Sequence, residues 1–372
     1  MANCPLVIRE IRTRSVCSPM RRPLRTSVGA IMNAPLVLID ILTEQGVVGR
    51  SYLFSYLDEV SPLLQRAIRA MAATLAGTSA EPLELRRRAG QQFNLLGAGG
   101  IIGLCLSGLD IACWDILAKA ANLPLARLLG GSIDPTPAYN SNGLGMASPE
   151  EAAEEALELL DGGFQAVKVR LGHGSAERDL AVVRAIKKAI PENTLLMSDF
   201  NHCLRRAEAV RRASLLDDEG LYWIEEPTAY DDYPGSAEVA RSVTTPVQLG
   251  ENFTSLREMK AAIDQQACDF VMPDLERIGG VSGWMHAAGL AEAAAMPMSS
   301  HLFPELSSHL LPATPTRHWL EYVDWAAPIL AEPLIVKDGL ATPPDRIGNG
   351  LCWDEHALKH YAAPQGGLNR GI

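Results

Sequence analysis

The chain offers no C-x-x-C pair and no long basic run, and each shortage narrows what it can do. Its seven cysteines (Cys4, Cys17, Cys105, Cys113, Cys203, Cys268 and Cys352) are odd in number and scattered along 372 residues. That pattern argues against a disulfide framework and for reduced thiols in a cytoplasmic compartment. Basic residues number 33 against 44 acids, a net charge of −11. Neither nucleic acid nor an anionic membrane surface is therefore an expected partner. The opening stretch, MANCPLVIRE, lacks an apolar h-region, so no secretory leader is expected. The longest uncharged stretch, residues 89–109, carries six glycines and stops at Asp110. It reads as a loop running into a buried helix rather than a membrane span. Within it, residues 97–103 are read as a mobile loop near the mouth of the site, since no strand precedes them to make a nucleotide-binding turn.

What is present is the composition of an ordinary soluble enzyme, 47% hydrophobic and 21% charged. The length allows two domains, or one barrel with an appendage. Residues 5–57 have strand character: Val37, Ile39 and Ile41 alternate and share one face, and Gly46 to Gly49 signals a turn. Residues 58–130 carry apolar positions at helical spacing, in Ser61–Leu75 and Ile111–Leu129. From Pro135 short apolar runs alternate with amphipathic helices. Eight strand candidates centre near Tyr139, Val167, Met197, Trp223, Gln248, Val271, Met298 and Leu320. Strands followed by helices predict an α+β domain, and the alternation predicts an α/β barrel.

Three of the barrel strands end in an acid: Asp199, Glu225 and Glu251, 26 residues apart each time. Acids at the carboxyl ends of successive parallel strands converge on one rim. Oxygen-only donors of this kind suit a hard dication, Mg²⁺ before Zn²⁺. The competing explanation, three unrelated acids capping the next helices, is weakened by their regular spacing. Lys168 and Arg170 stand two apart on one strand and so project to the same side; they could equally be rim salt bridges to the acids. Asp274 and His301 end two later strands. A histidine beside a buried aspartate has its tautomer fixed and suits a general base. Glu321, on the last strand, could donate a hydrogen bond if protonated. His202 is expected to point off the metal face if its strand continues, and Glu305 is read as structural.

The motifs D-F-N, W-I-E-E-P, G-E-N, P-D-x-x-x-x-G-G and S-S-H-L-F, in this order, resemble the enolase superfamily and within it the mandelate racemase subgroup. The resemblance runs over nearly the whole chain. It implies a (β/α)7β TIM-like barrel under an α+β capping domain. The divisions would be residues 1–132 for the cap, 133–325 for the barrel, and 326–372 for a segment returning to the cap. It implies one essential Mg²⁺ on Asp199, Glu225 and Glu251, and removal of a proton α to a carboxylate through an enediolate. Lys168 would bind the carboxylate of a small-molecule substrate, His301 with Asp274 would be the base for one enantiomer, and Glu321 the acid facing the enediolate. Ser141 and Asn201 would be polar site residues. A homo-oligomer, octamer or dimer, would follow the family habit.

One departure changes the chemistry. Arg170 stands where the racemase has a second lysine, its base for the other enantiomer. Bringing an arginine from above about 12 to about 7 takes roughly 7 kcal/mol. One-base chemistry, with His301 taking the proton and a β-hydroxyl leaving, becomes an alternative: dehydration of a hydroxy acid. The pocket pulls the other way. Leu24, Val28, Ile31, Phe54, Tyr56, Leu95, Leu302 and Val323 match the subgroup's cavity and are nearly all apolar. Unpaired buried hydroxyls are costly, so racemisation or epimerisation of a mandelate-like acid is the expectation, with dehydration second and a non-catalytic binding protein third.

Overall fold

The computed structural model describes residues 5–363; Cys4 and the outer ends of the first and last segments lie outside the described residues. The chain opens with a three-stranded antiparallel meander of β1 (Ile8–Thr26), β2 (Gly29–Thr43) and β3 (Val48–Phe54). Val37, Ile39 and Ile41 point from β2 onto helices α1 (Ser61–Leu75), α2 (Pro82–Gln92) and α3 (Gly100–Ala120). The intervening Leu36 and Leu38 face the opposite way and join the core of the barrel. The sheet is thus buried on both faces here, which is why this part of β2 is apolar apart from Asp40.

Helix α3 is largely apolar because most of it is buried, its acids Asp110 and Asp115 included. By length and composition it could cross a membrane, yet most of it is buried inside the protein. It lies so close to β3 that a Cβ on Gly49 would stand 2.1 Å from the Ala112 carbonyl oxygen. The glycine-rich stretch before it is not a mouth loop: its second half is the first turn of α3, and none of it lines the cavity described below.

After the short helix α4 (Leu125–Leu128) the barrel begins. It runs β4 (Thr136–Asn140), α5 (Pro149–Glu158), β5 (Ala166–Arg170), α6 (Ala176–Ala189), β6 (Leu195–Asp199), α7 (Arg206–Leu216), β7 (Ile224–Glu225) and α8 (Tyr233–Ser242). It continues through β8 (Val247–Leu249), α9 (Leu256–Asp264), β9 (Phe270–Val271), α10 (Gly280–Ala293), α11 (Pro304–Leu310) and β10 (Leu320–Tyr322). Strands β4 to β9 pair in parallel order, Met298 bridges Val271 and Arg317, and β10 returns to β4. The ring closes with eight staves, the seventh marked by bridges at Met298 and His301, giving a (β/α)7β barrel.

The barrel floor explains where the acids sit. Tyr139, Ala166, Met197 and Trp223 fill its interior, the two rings meeting edge-on at 5.3 Å. Two residues further along the same strands come Ser141, Lys168, Asp199 and Glu225. Side chains two apart on a strand share a face, so these form the next layer up, at the carboxyl rim where such barrels do chemistry. Beyond the barrel, a hairpin of β11 (Val336–Lys337) and β12 (Leu340–Ala341) pairs with β4. The chain then reaches the first sheet: Trp353 Nε1 donates to Asp40 at 2.8 Å, Glu355, opening α12 (Glu355–His360), pairs with Arg14 at 2.7 Å, and Ala362 bridges Val16.

Cap and barrel are joined where α3 meets the start of α10. Asp110 accepts from Ser282 N at 3.0 Å and Ser282 Oγ at 2.6 Å, capping α10 from outside its own chain segment. Burial lifts this carboxyl to about 6, although Arg86 and the Ser282 hydrogen bonds oppose it. An acid whose folded pKa is raised binds its proton more readily folded than unfolded. Stability therefore falls as pH rises from about 4 to about 6 and is flat above. Two units correspond to about 3 kcal/mol. Asp110→Asn is expected to remove that slope, which thermal melts between pH 4 and 7 would register as a flatter Tm profile.

Candidate active site

The three acids do converge. Ligand oxygens of Asp199, Glu225 and Glu251 lie within 4.8 Å of one another, and all three residues are buried. Each is held from behind. Asn201 donates its backbone N–H to Asp199 Oδ1 at 2.7 Å and its amide to Oδ2 at 3.0 Å. Trp223 Nε1 and Gln248 Nε2 reach Glu225 Oε2 at 3.0 and 3.1 Å. Burial pushes the Glu225 carboxyl well up, with Asp199, Glu321 and Glu251 adding to it against the opposing Lys168. Three buried carboxylates, with one ammonium beside Asp199 and Glu225 and the imidazoles of His202 and His301 beside Glu251, make an oxygen donor set that suits a hard dication. The buried Oδ1 of Asn201 also lacks a partner beside Asp199. The residues present fit Mg²⁺.

Lys168 is that ammonium. It is 1% exposed, bonds Glu225, and lies 2.9 Å from Glu321 Oε1 and 3.3 Å from Asp199 Oδ2. Burial works against its charge, but these acids outweigh it and hold the group well above the ordinary lysine value. The salt-bridge alternative considered for Lys168 is therefore what the resting site contains. Arg170 is different. It has no carboxylate within ion-pair distance among the described residues. Its Nη1 donates to the Ser141 and Gly143 carbonyls at 2.7 and 2.9 Å, and Nη2 to Ser141 Oγ at 2.8 Å.

Opposite, His301 Nδ1 meets Asp274 Oδ2 at 2.7 Å, while Nε2 faces Glu251 Oε2 at 3.4 Å and Glu321 Oε2 at 3.9 Å. Asp274 Oδ1 accepts from the backbone of Glu276 and Arg277, at 2.8 and 3.1 Å, so the carboxylate that orients the imidazole is itself fixed. Burial disfavours a charged His301, but Glu251, Glu321 and Asp274 lift its pKa above the ordinary value. Glu321 departs from expectation. Burial would raise it, yet Lys168, His301 and the hydrogen bonds from Ser141 and Leu302 N hold it down to about 2. At rest it is an ionised acceptor, at 2.6 Å from Ser141 Oγ and 2.8 Å from Leu302 N.

These groups floor a cavity of about 270 Å³. Leu24, Val28, Ile31, Tyr56, Leu302 and Trp325 wall it, and Lys168, Arg170, Asp199, Asn201, Glu251, His301 and Glu321 all reach it. Three expected wall residues do not. Phe54 and Val323 pack behind the wall with Tyr52 and Phe303. Leu95 is fully exposed, past the end of α2, and does not line the cavity. Ser141 is wholly buried and does not line the cavity: its hydroxyl bridges Glu321 and Arg170. His202 corrects the reading in the other direction. It lines the cavity, with Nε2 3.0 Å from Glu251 Oε1 and 2.7 Å from Asn252 Nδ2, and Nδ1 3.2 Å from Glu226 Oε2 but off the hydrogen-bond direction. The strand does not continue there: Asn201 and His202 have φ of 46° and 61°, so strand alternation no longer governs where the ring points. Glu305 is buried and accepts from Tyr52 at 2.6 Å, across the joint between cap and barrel. A larger open cleft of about 930 Å³ lies near Arg21, Phe164 and Tyr322, and no candidate catalytic side chain lines it.

Comparison with known proteins agrees with this geometry. The model of the mandelate racemase / muconate lactonizing enzyme N-terminal domain matches residues 8–130, and that of the enolase C-terminal domain-like family matches residues 151–357. The chain is 34% identical over 265 residues to the L-talarate/galactarate dehydratase of Salmonella typhimurium LT2, spanning 71% of this chain and 67% of that relative. Among solved structures, an enolase from the alphaproteobacterium BAL199 with bound magnesium shares 44% identity at a TM-score of 0.94, covering 96% of this chain and 100% of the other. An enolase from Bradyrhizobium, complexed with magnesium and mandelic acid, shares 42% at 0.92, covering 97% and 100%. Matching most of its length to both domains of one family, this chain is a member of the mandelate racemase / muconate lactonizing enzyme family of the enolase superfamily.

Proposed function

We propose that this enzyme uses Mg²⁺ and one base, His301, to remove the α-proton of a hydroxy acid from a single face, and that a β-hydroxyl then leaves. The reaction is dehydration of a short 2,3-dihydroxy monocarboxylic acid to its 2-keto-3-deoxy product. Asp199, Glu225 and Glu251 would hold the ion, which when bound supplies Lewis-acid neutralisation of the substrate carboxylate. Lys168 adds a second positive charge where negative charge develops. His301 takes the α-proton on Nε2 while Asp274 keeps Nδ1 protonated and the ring aimed. The C2–C3 double bond forms as the C3–O bond breaks. His301 then returns its proton to the departing hydroxyl, which leaves as water, and the resulting enol ketonises.

The observation that carries this reading is the state of Arg170. Its Nη1 and Nη2 donate to two buried carbonyls and a hydroxyl, while the buried Nε has no partner among the described residues. Losing a proton from Nη1 would leave a buried carbonyl without its partner, on top of the intrinsic reluctance of arginine to deprotonate. Arg170 therefore serves as a fixed positive charge on the far face, not as a second base. Similarity to acid-sugar dehydratases supports the same choice, while cycloisomerases and a racemase among the relatives keep the class open at a coarser level. A second reading, racemisation of a mandelate-like acid, is favoured by the apolar walls and by the Bradyrhizobium neighbour holding mandelic acid.

The two separate on product. Incubation with Mg²⁺ and a panel of 2,3-dihydroxy acids carrying short or apolar tails, followed by NMR, is expected to give a keto acid. A racemised or epimerised acid with no keto product would sink the dehydratase reading. Arg170→Lys is expected to open what the wild type lacks: inversion at C2 of mandelate, read by polarimetry, because a lysine in that place can be brought near neutrality.

A further inference from the structure

The tip of the β1–β2 hairpin roofs the cavity, with Leu24, Val28 and Ile31 over the site. Arg22, on the same tip, gives Nη1 to Glu155 Oε1 at 3.1 Å and Nη2 to Glu158 Oε2 at 2.7 Å, both on α5. The other oxygen of Glu155 accepts from Leu144 N at 2.9 Å. Gly143 and Leu144 in turn hold Arg170, through the Gly143 carbonyl on Nη1 at 2.9 Å and the Leu144 carbonyl on its backbone N–H at 2.8 Å. The segment is shaped for this. Gly143 has φ 60°, and a Cβ there would stand 2.2 Å from Glu155 Oε1. Leu144 has φ 43°, a left-handed conformation uncommon for a leucine. At Gly145 a Cβ would meet the Arg25 carbonyl at 2.4 Å, and that carbonyl accepts from Met146 N at 2.8 Å. One short stretch is thus clasped by the hairpin on one side and by Arg170 on the other.

We infer that Glu155 is a positioning residue that couples closure of the hairpin over the substrate to the placement of Arg170. Its two oxygens divide the work: one holds the roof through Arg22, the other holds the loop whose carbonyls fix the guanidinium. Arg21 adds a weaker tie, 3.7 Å from Asp324 and largely exposed. The catalytic half of this inference rests on the role given above to Arg170; the roof half does not.

Limited trypsin digestion of the full chain with Mg²⁺ tests the roof. Trypsin should cut after Arg21 and Arg25, since Pro23 protects Arg22, and strand pairing must open first. Glu155→Gln and Arg22→Gln are each expected to speed that cleavage about three- to fivefold, the scale of one part-exposed ion pair, with Tm unchanged. High salt should bring the wild type toward the same rate. Deuterium wash-in to mandelate from D₂O tests the other half. Glu155→Gln keeps an acceptor for Leu144 N and should raise KM while sparing kcat. Glu155→Ala should lower kcat as well, because the Arg170 loop is freed. Unchanged cleavage in Glu155→Gln overturns the inference. So do equal kinetic losses in both variants, or cleavage accelerated throughout the barrel, either of which means a merely structural role. If the wild type exchanges nothing, the reading of the reaction fails while the digestion still decides the tie.

Discussion

His301→Asn is expected to lower α-proton exchange by about 10²–10⁴-fold, the usual range for loss of a positioned general base. The substitution is chosen because the amide can still donate to Asp274, which keeps its backbone partners Glu276 and Arg277. Magnesium affinity and Tm should therefore stay near wild type. That combination distinguishes loss of a base from loss of the site. The expected effect is large because no second group stands in for His301. His202, the other imidazole in the cavity, lies between Glu251 and Glu226, and the proposed reaction gives Arg170 no role as a base. Stopped exchange with intact metal binding supports the assignment; exchange within tenfold of wild type in this variant would remove it.

Lys168→Met carries the second large effect, on stability as well as rate. In the wild type one buried ammonium faces Glu225, Glu321 and Asp199. Removing it leaves three desolvated carboxylates without their cation, and breaking a buried pair from one side costs about 3–5 kcal/mol. The metal-free variant should melt several degrees below the wild type and be inactive. A dication supplies charge at the same place, so saturating Mg²⁺ should stabilise the variant more than it stabilises the wild type. Scanning calorimetry with and without the metal reads both quantities. A metal-free variant as stable as the wild type would mean that the acids are paired elsewhere.

The fold was largely legible because its signals are local. Apolar runs at regular spacing announced the barrel strands, and their carboxyl ends placed Asp199, Glu225 and Glu251 on one rim. The seventh strand lies where the candidate near Met298 put it, paired through bridges at Met298 and His301. What could not be read lies past the strand ends. Asn201, His202, Glu226, Leu302 and Phe303 all adopt positive φ without being glycine; asparagine and histidine favour that region only weakly, and glutamate, leucine and phenylalanine give no sign of it. That is why His202 was turned away from the site. Leu95 was placed by similarity of position, and a loop direction is set by packing that the residue type does not encode. The charge state of Glu321 depends on Lys168 and His301, some 153 and 20 residues away along the chain (321 − 168 and 321 − 301), which a linear reading does not bring together. For Arg170 the sequence supplied the identity, and the structure adds which of its nitrogens have acceptors: Nη1 and Nη2 do, Nε does not.

Mandelate, which has an α-proton but no β-hydroxyl to lose, isolates the first step. Each enantiomer is incubated separately with the wild-type enzyme and Mg²⁺ in D₂O, and its α-deuterium content and configuration are followed by NMR and chiral chromatography. One acceptor on one face requires that a single enantiomer gains deuterium, that it keeps its configuration, and that a chelator stops the gain. Deuterium entering both enantiomers at comparable rates, with the two interconverting, would show a working base on the Arg170 side and contradict the account at its root.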